Sequence, residues 1–412
     1  MLDAKYIREH SDEVRNSIER KLMDVGLVDT WLEIDDEYRE KLQQVEALRA
    51  ERNTLTKDDR ERGKALKREL KELEQTLSEL KQQRLEVQMQ IPNLVHAEVP
   101  HGTSEDDNVE HRIVGKKPEF DFVPKDHVEL AEMHDLMDFV RGAKVSGSKQ
   151  YYLKNEAALL EVALVQYALQ FLMKQGFTPI ITPDMAHSRY YLGTGYLPRG
   201  DEAQTYEIKD EDLGLIATAE VTMAGYHADE VLSLDELPKK YVALSHCYRK
   251  EAGAYGKFSK GLYRVHQFTK VEMFGFTTPE QSDAMHAHFL EMEEKLWQSL
   301  EIPYRVLEMC DADLGGQAVR KYDLEAWMAG KGEDGEWGEV TSTSNTTDYQ
   351  ARRLNIKYKD AQGKNQYVHT LNGTALTTSR TPIAIFENYQ QADGSIVVPK
   401  VLQSLMGIAK IG

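Results

Sequence analysis

Between Ser245 and Phe276 the chain reads SHCYRKEAGAYGKFSKGLYRVHQFTKVEMFGF, two runs of strand-forming residues around a glycine-punctuated loop that carries charges of both signs. Alternation in the second run predicts that Arg264, His266, Phe268, Lys270 and Glu272 project from one strand face. Arg249 and Glu251 share a face of the first. A guanidinium grips a phosphate or carboxylate through two parallel bonds, a carboxylate accepts from an amine, and a phenyl ring stacks on a base. Together these groups suit a nucleotide held beside an amino acid.

The elements around this stretch are legible in outline. From Trp31 the apolar residues Ile34, Tyr38, Val45, Leu48 and Leu55 recur at heptad spacing, interrupted by Lys41 and Arg52. Leu66, Leu70, Leu73, Leu77, Leu80, Val87 and Ile91 form a second seam, interrupted by Arg84. The polar run TKDDRERGK between them, with Gly63, predicts a turn and hence an antiparallel hairpin of helices; Pro92 ends the second. A 26-residue limb from Trp31 to Thr56 would reach about 39 Å. Such a hairpin taken alone is more often a dimerisation or spacer element than an RNA arm. Further on, helical spacing over Val128–Val140 and Ala157–Lys174 alternates with short apolar runs at Pro179–Thr182, Leu213–Ala217 and Tyr241–Ser245. This predicts an α+β domain built on an antiparallel sheet. No GxxxxGK[ST] loop and no GxGxxG after a strand is found, which excludes the usual α/β nucleotide folds as simple explanations.

Composition bounds the rest. With 412 residues, 29% charged and 41% hydrophobic, the chain can bury two or more domain cores and has a soluble globular character. No apolar run approaches the roughly 20 residues that cross a bilayer, and MLDAKYIREHSDEV lacks a signal-type apolar region, so a cytoplasmic location without a membrane is expected. Cys247 and Cys310 are too few for a disulfide framework or a zinc cluster, and the 13 histidines form no ligand-like pairs; no zinc is expected. The net charge of −18 is the wrong sign for a nucleic-acid binder, but it is unevenly spread. From Arg49 to Lys71, nine basic residues (Arg49, Arg52, Lys57, Arg60, Arg62, Lys64, Lys67, Arg68, Lys71) face five acidic ones, leaving +4 there and −22 elsewhere. A basic tip on an acidic body steers a polyanion to one place.

The stretch around Arg249, and GLYRVHQF followed by a glutamate, resemble motif 2 of class II aminoacyl-tRNA synthetases in its seryl-tRNA synthetase form. Leu371–Gln390, LNGTALTTSRTPIAIFENYQ, resembles motif 3, and GFTPIITP, closing at Pro183, resembles motif 1. The whole chain is therefore similar to bacterial-type members of that family. The resemblance implies a class II antiparallel-sheet catalytic domain over residues 111–412, a linker at 99–110, and a tRNA-binding domain over 1–98 with its coiled-coil arm at about 30–91.

The resemblance also implies roles. Arg249 would bridge the α-phosphate of ATP and the carboxylate of serine, Glu251 would face the adenine amino group, Phe268 would stack on the ring beside Val265, and Arg380 would hold the γ-phosphate. Lys250 and Arg264 join the ATP set. Glu339-Val340-Thr341-Ser342 resembles the block that holds the triphosphate, with Glu339 and Ser342 as Mg²⁺ ligands; Arg249, Glu339 and Arg380 are the catalytic candidates. Serine would lie on Thr218, Ala219, Glu220, Arg249, Glu272, Asn372 and Thr374. The implied partners are ATP, L-serine, tRNA(Ser) gripped by the arm, and a second copy of the chain joined through motif 1. Three positions depart from the family pattern: Thr222 replaces a proline, Pro382 follows Arg380, and the motif 2 loop reads GKFSKG where GRDTRG is common. Lys257 and Lys260 keep that loop's positive charge without bidentate geometry. Two rival readings are an amino acid ligase that loads a carrier protein and a silent RNA-binding relative. The arm argues against the first, and the joint presence of Arg249, Glu251, Glu272, Glu339 and Arg380 against the second.

Overall fold

The computed structural model describes residues 1–56, 58–196, 205–251 and 260–412. Two compact units divide the chain, Met1–Val95 and His96–Gly412. In the first, two short helices, α1 (Ala4–Glu9) and α2 (Ser11–Arg20), precede two long ones, α3 (Gly26–Thr54) and α4 (Arg60–Gln90). The long pair has 29 and 31 residues, hence about 43 and 46 Å at the usual rise. Leu2, Ile7, Val14, Ile18, Val28, Trp31 and Ile91 form the core at the base of the hairpin. Along the limbs only Val45, Leu66, Leu70 and Leu80 are buried among the apolar residues of the two seams.

The polar interruption of the second seam has a partner. Asp35, wholly buried, accepts from Arg84 at 2.7 Å and from Arg8 at 2.9 and 3.1 Å, and the Arg84 guanidinium lies 4.2 Å from the Tyr38 ring centre. The turn also falls earlier than Gly63 suggests. The backbone N–H and hydroxyl of Thr56 both donate to Asp59 at 2.8 Å, closing the connection, and Gly63 lies inside α4.

The second unit is built on eight strands: β1 (Val109–Val114), β2 (Thr178–Ile181), β3 (Lys239–Tyr248), β4 (Gln267–Thr277), β5 (Tyr304–Glu308), β6 (Arg320–Met328), β7 (Glu336–Thr347) and β8 (His369–Thr377). Their order across the sheet is β1-β5-β6-β7-β8-β4-β3-β2. All neighbours run antiparallel except β2 beside β3 at the edge. The helices that matter for the site are α5 (His127–Met133), α6 (Phe139–Ser146), α7 (Asn155–Lys174), α8 (Glu220–Tyr226), α9 (Ser282–Ser299), α10 (Tyr349–Leu354) and α11 (Arg380–Tyr389). Leu160 and Leu164 of α7, Phe289 and Trp297 of α9, and Ile383 and Phe386 of α11 pack in one cluster with Val271 and Met273 of β4. Strand alternation then sends Lys270 and Glu272 to the opposite face. There Met223 of α8 and Leu354 of α10 cover Phe274 and Phe276, leaving the adjoining stretch of β4 open.

Several sequence expectations shift. The helix expected over Val128–Val140 is broken into α5 and α6, with Asp135 at φ 53° between them. The break drops Leu136 into the core and lets the Asp135 carboxylate reach Lys154 at 2.5 Å. Arg264 and His266 precede β4, and Arg249 and Glu251 follow β3, so the strand faces are shorter than the alternation suggested. Residues 99–110 fall inside the second unit and hydrogen-bond within it: Gly102 N–H donates to Asp311 at 2.9 Å and Cys310 N–H to Asn108 at 2.9 Å. Among the described residues one helix, α7, is long and apolar enough to cross a membrane by length and composition, where the sequence reading expects no such run. Its Ala157, Leu160, Ala163, Leu164, Ala168 and Leu172 belong to the domain core, while Leu159 and Val162 are exposed.

Candidate active site

Beyond the end of β3 the chain turns sharply at Glu251, whose φ of 47° is rare for a residue with a side chain. The turn aims Arg249 and Glu251 into an open cleft of about 450 Å³ above β4, β7 and β8. Arg249, Glu251, Val265, Phe268, Glu339, Val340, Thr341, Thr374 and Arg380 of the expected set line it, joined by Tyr263, Lys270, Thr377 and Ser379. The Arg249 guanidinium sits 5.3 Å from the Phe268 ring centre and donates to Ala217 O at 3.3 Å. Arg264 pairs with Glu251 at 3.2 Å, fixing a carboxylate at the cleft edge.

On the opposite wall a bulge at Val340 shifts the β6–β7 register beside Glu339. Arg380 pairs with the Glu339 carboxylate at 3.2 Å, donates to its carbonyl at 2.9 Å, and lies 4.7 Å from the Tyr263 ring centre. Burial opposes charge on Glu339, yet the fields of Arg380 and Lys321 overcome it and hold the carboxyl down at about 2. Ser342, across the ladder from Asp323, bonds to that carboxyl, which burial pushes up to about 6. Glu339 presents a hard oxygen donor at the cleft wall, which suits magnesium with phosphate oxygens and water completing the shell, whereas Ser342, held by Asp323, is not among the lining residues. Among the described residues no three His, Cys, Asp or Glu side chains come together as a metal cage.

The floor is a buried charge network. Glu272 is wholly buried, pairs with Lys270 at 2.5 Å and accepts from Thr374 at 3.4 Å; Lys270 also donates to Thr218 at 3.0 Å. The Glu272–Thr374 pairing follows from the β4–β8 register, where Ala375 bulges out. Asn372 donates to both Glu220 at 3.1 Å and Glu272 at 3.2 Å, spacing the two carboxylates. Gln350 and Tyr196 donate to Glu220 at 2.7 and 3.1 Å. Burial and the neighbouring Glu272 raise the Glu220 carboxyl to about 7. Lys270 pairs with Glu272, and the partners of Glu220 named here are uncharged, so the floor is one positive charge short of its two carboxylates. Ala219 is buried beside Glu220, and Lys250 stays half-buried outside the cleft lining.

A family model for the seryl-tRNA synthetase N-terminal domain matches residues 1–95, and one for the class II tRNA synthetase core domain (G, H, P, S and T) matches 205–389. The serine–tRNA ligase of Treponema denticola is 49% identical over 100% of both chains, and that of Rubrobacter xylanophilus 49% identical over 100% of this chain and 99% of its own. The chain belongs to the seryl-tRNA synthetase family. Seryl-tRNA synthetase of Pyrococcus horikoshii, solved with ATP, superposes with a TM-score of 0.94 at 42% identity, covering 100% of this chain and 99% of that one. The cytoplasmic serine–tRNA ligase of Naegleria fowleri, solved with AMP, gives 0.92 at 35%, covering 100% and 98%. As a seryl-tRNA synthetase, this chain activates L-serine with ATP to seryl-adenylate and pyrophosphate, then transfers the seryl group to the 3′-terminal adenosine of tRNA(Ser).

Sequence reasoning missed part of this seryl-tRNA synthetase site. By alternation alone Lys270 shares a strand face with Phe268 and Glu272, although a lysine two residues from a glutamate on a buried strand is itself a signal. Tyr263 lies inside the motif 2 stretch, where residue type alone gives it no role. Gln350 and Tyr196 had no signal, because only the fold carries them to Glu220. In the arm, the described basic residues from Arg49 to Lys71 are all exposed. Arg49, Arg62, Lys64 and Arg68 pair with carboxylates, and Arg52, Arg60, Lys67 and Lys71 have no ion pair among the described residues. Lys57 and Lys257 lie outside the described residues.

Proposed function

We propose that serine binds on the buried floor with its ammonium against Glu220 and the Thr218–Ala219 segment, and its hydroxyl between Glu272 and Thr374. The observation that carries this reading is the missing positive charge. With Lys270 committed to Glu272, Glu220 is a buried carboxylate that a second ammonium would complete. Arg249 stands above the floor, within reach of both the serine carboxylate and an α-phosphate. Adenine would lie on Phe268 beside Val265, with Glu251 accepting from its amino group. Val340, Thr341 and Arg380 would border the triphosphate, and Glu339 would hold Mg²⁺, which supplies neutralisation of phosphate charge.

Attack by the serine carboxylate on the α-phosphorus joins two anions and expels pyrophosphate without a proton transfer. Positioning and charge neutralisation by Arg249 and Arg380 therefore supply most of the acceleration. The arm would grip tRNA(Ser) by shape and phosphate charge. Exposed Leu159 and Val162 on α7, with Ile181 on the edge strand β2, support a homodimer, and the family supports action in the cytoplasm.

The test is ATP–pyrophosphate exchange with serine, threonine, alanine and glycine. Exchange with serine alone is expected, with alanine poorer by about 10⁴-fold because it leaves the hydroxyl partners unpaired. Equal exchange with alanine would remove Glu272 and Thr374 from hydroxyl recognition.

A further inference from the structure

His127, the first residue of α5 and itself buried, joins two segments of the cleft without lining it. Its backbone N–H and Nδ1 meet Glu387 Oε1 at 3.1 and 2.9 Å, and Gly330 N–H donates to the other Glu387 oxygen at 3.0 Å. Glu387 is buried on α11, seven residues and so about two turns beyond Arg380, on the same side of that helix. A carboxylate can only accept, so Nδ1 carries the proton and Nε2 is left with its lone pair. Nε2 then accepts from Leu262 N–H at 3.2 Å.

Leu262 belongs to the returning leg of the motif 2 loop, which lies directly against α5. Gly261 has φ +63°, and a Cβ there would stand 2.1 Å from His127 Nε2. Lys260 pairs with Asp126, the cap of α5. The next three residues enter the cleft: Tyr263 lies beneath the Arg380 guanidinium, Arg264 holds Glu251, and Val265 is part of the lining. One imidazole therefore ties the helix that carries Arg380 to the leg that carries Tyr263, Arg264 and Val265.

We propose that His127, oriented by Glu387, is a positioning residue for ATP that sets the distance between the motif 2 return and Arg380 through its Nε2 bond to Leu262. This rests on the assignment of ATP to the cleft, which exchange by the unaltered chain tests separately. The serine floor stands on β4, β8 and α8, which the leg does not carry, so a fault at His127 falls on one substrate.

The test compares His127→Asn, whose amide can meet Glu387 but not Leu262, with His127→Gln, whose amide oxygen reaches the Nε2 position. In pyrophosphate exchange His127→Asn should raise the KM for ATP about tenfold or more with the KM for serine within about twofold, and His127→Gln should recover most of the loss. Gly261→Ala, whose added methyl would push the imidazole and the leg apart with His127 and Glu387 both retained, should show the same selective rise and decides the matter if His127→Asn does not fold. An unchanged ATP KM in the folded Asn variant or in Gly261→Ala overturns the proposal. So does a fall in kcat that is equal for Asn and Gln with both KM values unchanged.

Discussion

At the scale of residues, the site is organised by charge counting in a buried place. Glu220 and Glu272 are 1% and 0% exposed, and the lysine beside them pairs with Glu272. A lone buried carboxylate costs several kcal/mol, so the floor is stable when Glu220 takes a proton or receives a cation. Burial and Glu272 raise its carboxyl from 4.5 to about 7. A raised acid stabilises the fold fully below its unfolded value of 4.5, and that contribution is lost as pH rises through about 7. On the proposed placement of serine, its binding has the opposite sign, because the ammonium would need the ionised carboxylate. The KM for serine should therefore climb up to about tenfold for each pH unit below 7, while the KM for ATP stays level. Exchange kinetics between pH 6 and 8 check this, and a serine KM flat across that range would place the ammonium elsewhere. Arg249, Glu272 and Phe268 could be named from the chain alone because chemistry restricts residue type at each. Gln350 could not, since it sits 130 residues from the carboxylate it holds.

At the scale of elements, the arm shows a hydrophobic pattern completed by a buried ion network. Arg84 breaks the apolar repeat of α4, and its partner Asp35 looks like a surface residue of α3; their separation of 49 residues hides the pair until the hairpin closes. Asp35 is 0% exposed and receives three charge-assisted bonds from two arginines that keep 20% and 29% of their side chains in water. Asp35→Ala should destabilise the base of the hairpin by about 3 kcal/mol, because the arginines lose their counter-charge where α3 meets α4. Hydrogen exchange on the full chain should show amides of α3 and α4 losing about a hundredfold protection while β4 and β8 stay protected. Equal protection in both proteins would mean that water replaces the carboxylate at little cost. The turn illustrates the converse error: Gly63 drew attention as a breaker, but Thr56 and Asp59 make a cheaper local closure.

At the scale of the molecule, an acidic chain has one exposed stretch, Arg49 to Lys71, of net positive charge. Excising residues 46–77 keeps Asp35, Arg84 and the core around Trp31, so the base of the hairpin should survive. Pyrophosphate exchange should be unaffected and tRNA charging should fall about a hundredfold or more, with a flatter dependence of tRNA binding on salt. Charging at the parental rate would remove the arm from tRNA recognition. The proposed homodimer would use a different surface. Val162 is 65% exposed on a helix whose other side is core, and Val162→Asp should shift the sedimentation equilibrium toward monomer by about tenfold or more in dissociation constant. An unchanged equilibrium would move the dimer contact off α7.

Local pattern by itself determined the α+β class, the helical hairpin and the basic tip, because each depends on residue type and short spacing; the motif residues followed from resemblance to a family. Heptads, strand alternation and a proline stop act over a few residues and survive without tertiary context. Only the tertiary structure decided how charges are paired inside. Asn372 and Glu220 are 152 residues apart, Asp35 and Arg84 are 49, and His127 and Glu387 are 260. It also decided where α5 stops, since Leu136 leaves the helix for a core that distant helices build. The reason is energetic: a buried charge is tolerable only beside its partner, and which residues become partners is set by packing of segments remote in the chain.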